Sequence, residues 1–154
     1  MLRDRIKGET VAAMKAGDKE RVAALRLIAA RIKDRDIEMR PKIAAGATPM
    51  DDDAMVIDAL QKMAKQRRES IAMYEDGGRE ELAAQERGEL AVIDEFMPRQ
   101  MDEETTRAAI ERVKTELGVG GVKDMGRVMA ELKARHGAEL DMARASGWVK
   151  ESLA

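Results

Sequence analysis

Two consecutive stretches decide the fold: AMVIDALQKMAKQRRESIAMYED at residues 54–76 and REELAAQERGELAVIDEFM at residues 79–97. Apolar residues recur in both at the intervals that place them on one face of an α-helix. They are Val56, Leu60, Met63, Ile71 and Tyr74 in the first stretch and Leu82, Leu90, Ile93, Phe96 and Met97 in the second. Gly77-Gly78 separates the stretches, and glycine readily adopts the left-handed conformation that ends a helix. The pattern therefore predicts a long helical hairpin.

Three charged residues interrupt these apolar faces. Arg67 lies between Met63 and Tyr74 in helical projection, and Glu86 and Glu89 lie on either side of the line that continues the second face. Folding the chain at the glycine pair brings all three to a similar depth in the hairpin. Because an unpaired buried charge is costly, we predict a buried or half-buried ion pair across the hairpin.

The same carboxylates allow other interpretations. Two carboxylates on one helix face can act as an acid and a base, or they can bind a metal. Metal sites of helical bundles, however, also use a Glu-x-x-His motif, which the hairpin lacks. We therefore favour the structural interpretation, with Arg67 and, as a further candidate, Arg26 as the partners of Glu86 and Glu89. We predict no metal site.

The composition predicts an all-α protein. Charged residues make up 38% of the 154 residues and aromatic residues 2%, and no segment shows the alternating pattern of a strand. We predict helices at residues 2–16, 19–39 and 103–117, a loop at residues 40–50 caused by Pro41, Gly46 and Pro49, and later helices capped by Asp124 and Asp141. Pro98 marks the predicted boundary between an N-terminal helical bundle, residues 1–97, and a smaller three-helix subdomain, residues 98–154.

Charge is distributed unevenly along the chain. Residues 1–42 contain 12 basic and 7 acidic residues, a net charge of +5, whereas residues 43–97 contain 6 and 13, a net charge of −7. Residues 98–154 contain 10 of each. Our main interpretation is that the first two helices dock on the acidic hairpin. The alternative is a basic patch that faces RNA.

Several functional classes find no support in the sequence. There is no Cys, and the N-terminus lacks the apolar segment of a secretion signal. No apolar run is long enough to span a membrane, so we expect a cytoplasmic protein. The run Asp51-Asp52-Asp53 suits a helix N-terminus better than a calcium loop. His136, the single histidine, lies at the C-terminal end of a helix, where the helix dipole favours a protonated imidazole.

Four segments carry a resemblance to a known family. They are LRLIAARIKDRDIE (residues 25–38), KQRRESIAMYEDGGREELAAQERGELAVIDEFMP (65–98), DMGRVMAELKARHG (124–137) and LDMARASGWVKESL (140–153). Together they identify a chain that resembles the GatB/YqeY family, as a YqeY-like protein, over essentially its whole length. The resemblance implies a helical bundle followed by a smaller three-helix unit.

The resemblance also implies a function. The C-terminal part of this family is similar to the tail of the B subunit of the glutamine-dependent aspartyl/glutamyl-tRNA amidotransferase, where it looks like a module that contacts the outer corner of tRNA. The implied association is with carbon–nitrogen ligation that uses glutamine as the amido-N-donor, and the implied partners are tRNA or amidotransferase subunits. The chain lacks the large body of the B subunit, which houses the chemistry.

From the residues alone, the turn before Asp124 is either an ordinary link between two helices with exposed charges or an RNA contact. The resemblance favours the second interpretation and implies an RNA-contacting module without its own active site. We identify no catalytic residues and expect no cofactor, because Gly118-Val119-Gly120-Gly121 is not followed by the Lys-Ser/Thr of a phosphate-binding loop. The candidate RNA contacts surround the turn before Asp124, where flexible backbone, a helix N-terminus and positive charge occur together. They are Gly120, Gly121, Lys123, Gly126 and Arg127. The alternative is a protein-interaction or assembly factor that uses its helical surface.

Overall fold

The computed structural model describes residues 1–154, apart from the side chain of Ala138. The described residues form seven α-helices and two short 3₁₀ helices, which confirms the all-α prediction. The α-helices are α1 (Leu2–Ala16), α2 (Lys19–Ala44), α3 (Asp52–Asp76), α4 (Glu80–Glu95), α5 (Glu103–Leu117), α6 (Met125–His136) and α7 (Met142–Leu153). The 3₁₀ helices are Val122–Asp124 and Gly137–Glu139. None of the helices in the described part of the chain is long and apolar enough to cross a membrane.

The chain divides into two compact units, Met1–Met97 and Pro98–Ala154. In the N-terminal unit, α1 and α2 pack against the hairpin formed by α3 and α4, and all four helices contribute to one apolar core. In the C-terminal unit, α5, α6 and α7 pack around a second core. Thr106 is buried in this unit, where its hydroxyl donates a hydrogen bond of 2.7 Å to the carbonyl of Asp102.

Only part of the hairpin lies in the core. The buried core residues of α3 end at Ala64, and those of the second stretch are Ile93 and Phe96. We define the hairpin arm as residues 65–89. Its predicted inward residues Ile71 and Tyr74 are only half-buried, and Leu82 is 36% exposed. Ala83 is the fully buried residue of this part of α4. The helical period thus predicts which face of each helix is apolar, but it does not predict how much of that face is buried in the core.

The predicted end of α2 was wrong. The helix continues through Pro41 to Ala44 instead of ending near Met39. Proline has no N–H group and its ring crowds the carbonyl four residues earlier, although its fixed backbone angle is compatible with a helix. Near the C-terminus of α2 this affects the carbonyl of Ile37, and the surrounding residues are exposed, so water can satisfy that carbonyl. The penalty that breaks a buried helix is therefore small at this position.

Candidate nucleic-acid interface

The glycine-flanked turn before α6 is exposed. Gly118 ends α5 in the left-handed conformation, with φ 65°, and Gly120 follows on the surface. The chain then enters the 3₁₀ helix Val122–Asp124, in which the N–H of Asp124 donates to the carbonyl of Gly121 at 2.9 Å. Lys123 projects from this short helix as an exposed side chain. The turn and the cation next to it are both accessible to a ligand.

The predicted cap by Asp124 was wrong in one respect. Asp124 occupies the N-cap position of α6, but its side chain accepts no hydrogen bond from the amides of the first turn. A capping residue normally has an extended backbone, whereas Asp124 has φ −92° and ψ 3° because it already belongs to the 3₁₀ helix. The first-turn amides of α6 therefore have no side-chain acceptor among the described residues. The N–H of Met125 donates instead to the carbonyl of Val122 in the preceding 3₁₀ helix, so the attraction of this helix start for an anion depends on the helix dipole and the neighbouring cations.

One face of α6 combines small residues with positive charge. We call it the α6 basic face, and it consists of Lys123, Gly126, Arg127, Ala130, Lys133 and Ala134. All six residues are exposed, whereas Val128 and Leu132 on the opposite side are fully buried. A side chain at position 126 would meet nothing within 4 Å. The face is therefore flat along its centre and flanked by cations.

The charges of this face are largely unpaired. Arg127 has its carboxylate neighbour, Asp124, only at 4.0 Å. Lys123 and Lys133 form no ion pair within the described residues. Of the predicted contact residues, Gly120, Lys123, Gly126 and Arg127 are exposed, and Gly121 is half-buried. The prediction omitted Ala130, Lys133 and Ala134, although their spacing from Gly126 and Lys123 already placed them on the same face.

The charged residues predicted in the hairpin lie together. The Nε atom of Arg67 is 3.0 Å from the Oε2 atom of Glu89 and 3.3 Å from the Oε2 atom of Glu86. The three side chains are 23%, 19% and 18% exposed, respectively. Arg67 Nε and Glu86 Oε2 are nevertheless without a hydrogen bond of good geometry. The contact is therefore mainly an attraction between charges. Arg26 lies exposed on α2 and takes no part in an ion pair within the described residues.

The aspartate run at the start of α3 has structural partners. Asp51 accepts a hydrogen bond from the N–H of Ala54 at 3.2 Å and so caps the helix. Asp52 pairs with Arg3 at 2.8 Å, and the hydrogen bond from this guanidinium holds the pKa of Asp52 below its usual value. Asp53 accepts from the backbone N–H of Leu2 at 2.9 Å. The three carboxylates thus order the helix start and attach α1 to it.

A cleft between α5 and α7 was not predicted. It has a volume of about 280 Å³ and contains Trp148, whose ring centre lies 5.1 Å from the guanidinium of Arg144 and 5.6 Å from that of Arg107. Ser152 and Lys114 both bond Glu111 at its rim, and they hold the pKa of Glu111 below its usual value. The spacing of Arg144 and Trp148 was visible in the sequence. The approach of α5 was not, because it depends on tertiary packing.

The remaining candidate, His136, lies at the end of α6 as expected from its position. Its Nδ1 atom is 3.7 Å from a carboxylate oxygen of Glu139. Within the part of the chain that the structure describes, no three His, Cys, Asp or Glu side chains form a group suited to a metal ion. The α6 basic face is therefore the strongest candidate interface in the C-terminal unit.

Comparison with known proteins gives a family. The profile described as "Yqey-like protein" matches residues 3–153. Curated relatives include the protein named "Altered inheritance of mitochondria protein 41, mitochondrial" from two Saccharomyces cerevisiae strains, YJM789 and ATCC 204508 / S288c. Each is 26% identical over 133 residues, which cover 82% of this chain and 68% of the relative. The family profile spans nearly the whole sequence, and the chain therefore belongs to the YqeY-like protein family.

Proposed function

We propose that this protein is an accessory module that contacts tRNA through the α6 basic face and has no active site of its own. In this proposal it assists tRNA-dependent amidotransferase chemistry, in which glutamine donates the amide nitrogen and partner subunits perform carbon–nitrogen ligation. The observation that carries the proposal is the exposed start of α6, where Gly126 lies between the largely unpaired cations Lys123 and Arg127.

The physical chemistry of this face suits a phosphate backbone. The positive end of the helix dipole attracts an anion. Gly126 lets the RNA backbone approach α6 closely, because no side chain covers the helix there. Lys123 and Arg127 add charge that carries no sequence information. The face has no aromatic residue to stack on a base, so it fits recognition of a folded RNA by shape and backbone.

The cytoplasm is the compartment that we propose for this role. The word "mitochondrial" in the name of the yeast relatives describes those proteins. The similarity of the C-terminal unit to the tail of the amidotransferase B subunit belongs to the same proposal. This similarity is our reason for proposing a tRNA contact beyond Pro98 and a partner subunit that performs the carbon–nitrogen ligation.

Binding to fluorescently labelled bulk tRNA at low salt tests the proposal. We expect the wild type to bind and the variant Lys123→Gln/Arg127→Gln to bind more weakly, with a salt dependence that is less steep by about two phosphate contacts. The matched control is Arg112→Gln/Lys150→Gln, which removes the same charge from exposed positions of the same unit. Absence of binding by the wild type, or equal loss in the control, would contradict the proposal.

A second candidate function is binding of a protein partner by the hairpin arm. Met73 is 73% exposed near the end of the arm, and Leu82 is 36% exposed on the facing helix. Methionine adapts readily to different contact surfaces. Partners that co-purify after RNase treatment and are lost on Met73→Glu would favour this function. Partners that disappear with RNase treatment would favour the tRNA contact.

A further inference from the structure

A second basic surface lies on the N-terminal unit, on the outer side of α2. Four cations recur there at every seventh position: Lys19, Arg26, Lys33 and Arg40. Seven residues of an α-helix rise by about 10.5 Å and return to nearly the same angle, so the four form one row along the helix. All four are exposed. We call this row the α2 basic row.

The row is left over after α2 has packed on the bundle. Three other cations of α1 and α2 pair with acids of the hairpin: Arg3 with Asp52 at 2.8 Å, Arg21 with Glu95 at 2.8 Å and Arg35 with Asp58 at 3.0 Å. The members of the α2 basic row form no ion pair with any described residue. The positive charge of the first two helices is thus only partly paired within the unit.

We infer that the α2 basic row binds the phosphate backbone of a folded RNA. This inference rests on the proposed function, because it assigns a second contact surface to the same RNA partner. Each cation of the row can neutralise a phosphate and release its counterion, which favours binding. The row therefore offers several backbone contacts over about 30 Å, the length of helix between its ends.

The surroundings of the row favour RNA over other anionic partners. Ala23 and Ala30 are small and exposed beside it, and the large apolar residues that α2 exposes are Leu27, Ile37 and Ile43, at 44%, 51% and 41% exposure. A helix that lies in a membrane surface presents a full apolar face of large residues. An acidic partner helix would need carboxylates at matching seven-residue intervals. A nucleic-acid backbone carries charges at much shorter intervals, so every cation finds a phosphate without a fixed register.

The decisive variant is Arg26→Gln/Lys33→Gln/Arg40→Gln. Glutamine retains helix propensity, and circular dichroism checks that the variant is folded. With labelled bulk tRNA, we expect affinity near physiological salt to fall by about tenfold or more. The slope of log affinity against log salt should decrease by about two to three, the value for three lost phosphate contacts. Unchanged affinity and slope would overturn the inference.

The matched control is Lys7→Gln/Lys65→Gln/Arg79→Gln. It removes the same charge from exposed positions of the same unit that lie on α1, on α3 and just before α4. We expect it to change tRNA affinity by less than about twofold, because distant surface charges are screened. A loss equal to that of the first variant would show a general charge effect and overturn the inference.

Comparison with the Lys123→Gln/Arg127→Gln variant separates this inference from the proposed function. Loss of binding only in the α2 variant supports the α2 basic row and contradicts the α6 site. Loss of binding only in the α6 variant supports the α6 site and overturns the inference about the α2 basic row. Absence of wild-type binding overturns both. Sedimentation with phosphatidylserine vesicles tests a membrane as the alternative partner. If the protein binds these vesicles in preference to tRNA and the α2 variant loses that binding, the row contacts a membrane and the inference is overturned.

Discussion

Two helices of the C-terminal unit begin with almost the same sequence but have different N-termini. Helix α6 begins Asp124-Met125-Gly126-Arg127, and α7 begins Asp141-Met142-Ala143-Arg144. Asp141 has an extended backbone, and its side chain accepts hydrogen bonds from Ala143 at 3.2 Å and Arg144 at 3.3 Å. Asp124 is the last residue of a 3₁₀ helix and accepts none from the first-turn amides. The same motif therefore supplies a side-chain cap to one helix and none to the other.

The two arginines of these motifs differ as well. Arg144 stacks on Trp148 within its own unit. Arg127 is exposed and has only a distant contact with Asp124. Groups that find partners inside the fold stabilise it, and groups without such partners are available to a ligand. This distinction is our reason for assigning the interface to α6 and not to α7, and the following predictions test it.

The largest expected effect concerns charges that are satisfied within the fold. Replacement of Arg67 by Met leaves Glu86 and Glu89 half-buried without a cation. We expect a loss of about 3 kcal/mol in the free energy of unfolding, the lower end for a broken buried pair, because all three side chains retain some contact with water. Urea unfolding followed by circular dichroism measures this loss.

The fluorescence of Trp148 provides an internal control for that measurement. Trp148 is the single tryptophan and lies in the C-terminal unit, so its signal reports on that unit. An additional Glu86→Gln/Glu89→Gln replacement should recover much of the stability, since it removes the unpaired charges. An Arg67→Met variant as stable as the wild type would show that water already satisfies these carboxylates.

The next prediction compares the two aspartates directly. Asp141→Ala should lower the free energy of unfolding by about 1 kcal/mol, the usual cost of a lost N-cap. Asp124→Ala should change it much less, because no cap bond is lost. Urea titration monitored by Trp148 fluorescence measures both. Equal losses in the two variants would mean that the difference between the two helix starts is not energetically significant.

A smaller effect is expected at Gly126, the glycine in the first turn of α6. Gly126→Ala should stabilise the protein by up to about 1 kcal/mol, since the helix gains propensity and the added methyl group meets nothing. It should also weaken tRNA binding if RNA approaches the helix at this point. Gly88→Ala is the matched control: it has the same open surroundings in α4 and should stabilise without affecting binding. Thermal unfolding and tRNA titration measure the two properties.

The smallest effect is a dependence on pH at the start of α5. Hydrogen bonds from the side chain and the backbone of Thr105 lower the pKa of Asp102 in the folded state. A carboxyl with a lowered folded pKa contributes stability that is present above its unfolded pKa, near ~3.9, and is lost as the pH falls through the folded value. We therefore expect acid to weaken the C-terminal unit. Asp102→Asn should flatten this dependence below about pH 5, and an unchanged profile would contradict it.

Much of the fold could be predicted because its determinants are local. The bounds of α1 and α5 agree with their predictions at both ends, as set by the apolar period and by Gly17 and Gly118. The hairpin also reverses at Gly77-Gly78, with Gly78 at φ 69°. Pro41 misled the prediction because the cost of proline depends on whether the affected carbonyl is buried, which the local sequence does not state.

Less of the candidate site could be predicted. The exposure of Lys123, Gly126 and Arg127 agrees with their position on one helix face, but the open N-terminus of α6 depends on the 3₁₀ turn before it. The α2 basic row was present in the sequence as a seven-residue interval. Its availability became clear only once Arg3, Arg21 and Arg35 were seen to pair with the hairpin.

Most helix bounds, the hairpin and the positions of its charges could be predicted from the sequence, because helix period, capping propensity and turn chemistry act between neighbouring residues. Tertiary packing determined how far the hairpin enters the core, which aspartate caps its helix and which cations are unpaired. Those outcomes depend on how closely segments far apart in the sequence approach each other in space, and on how much water each segment excludes from the other.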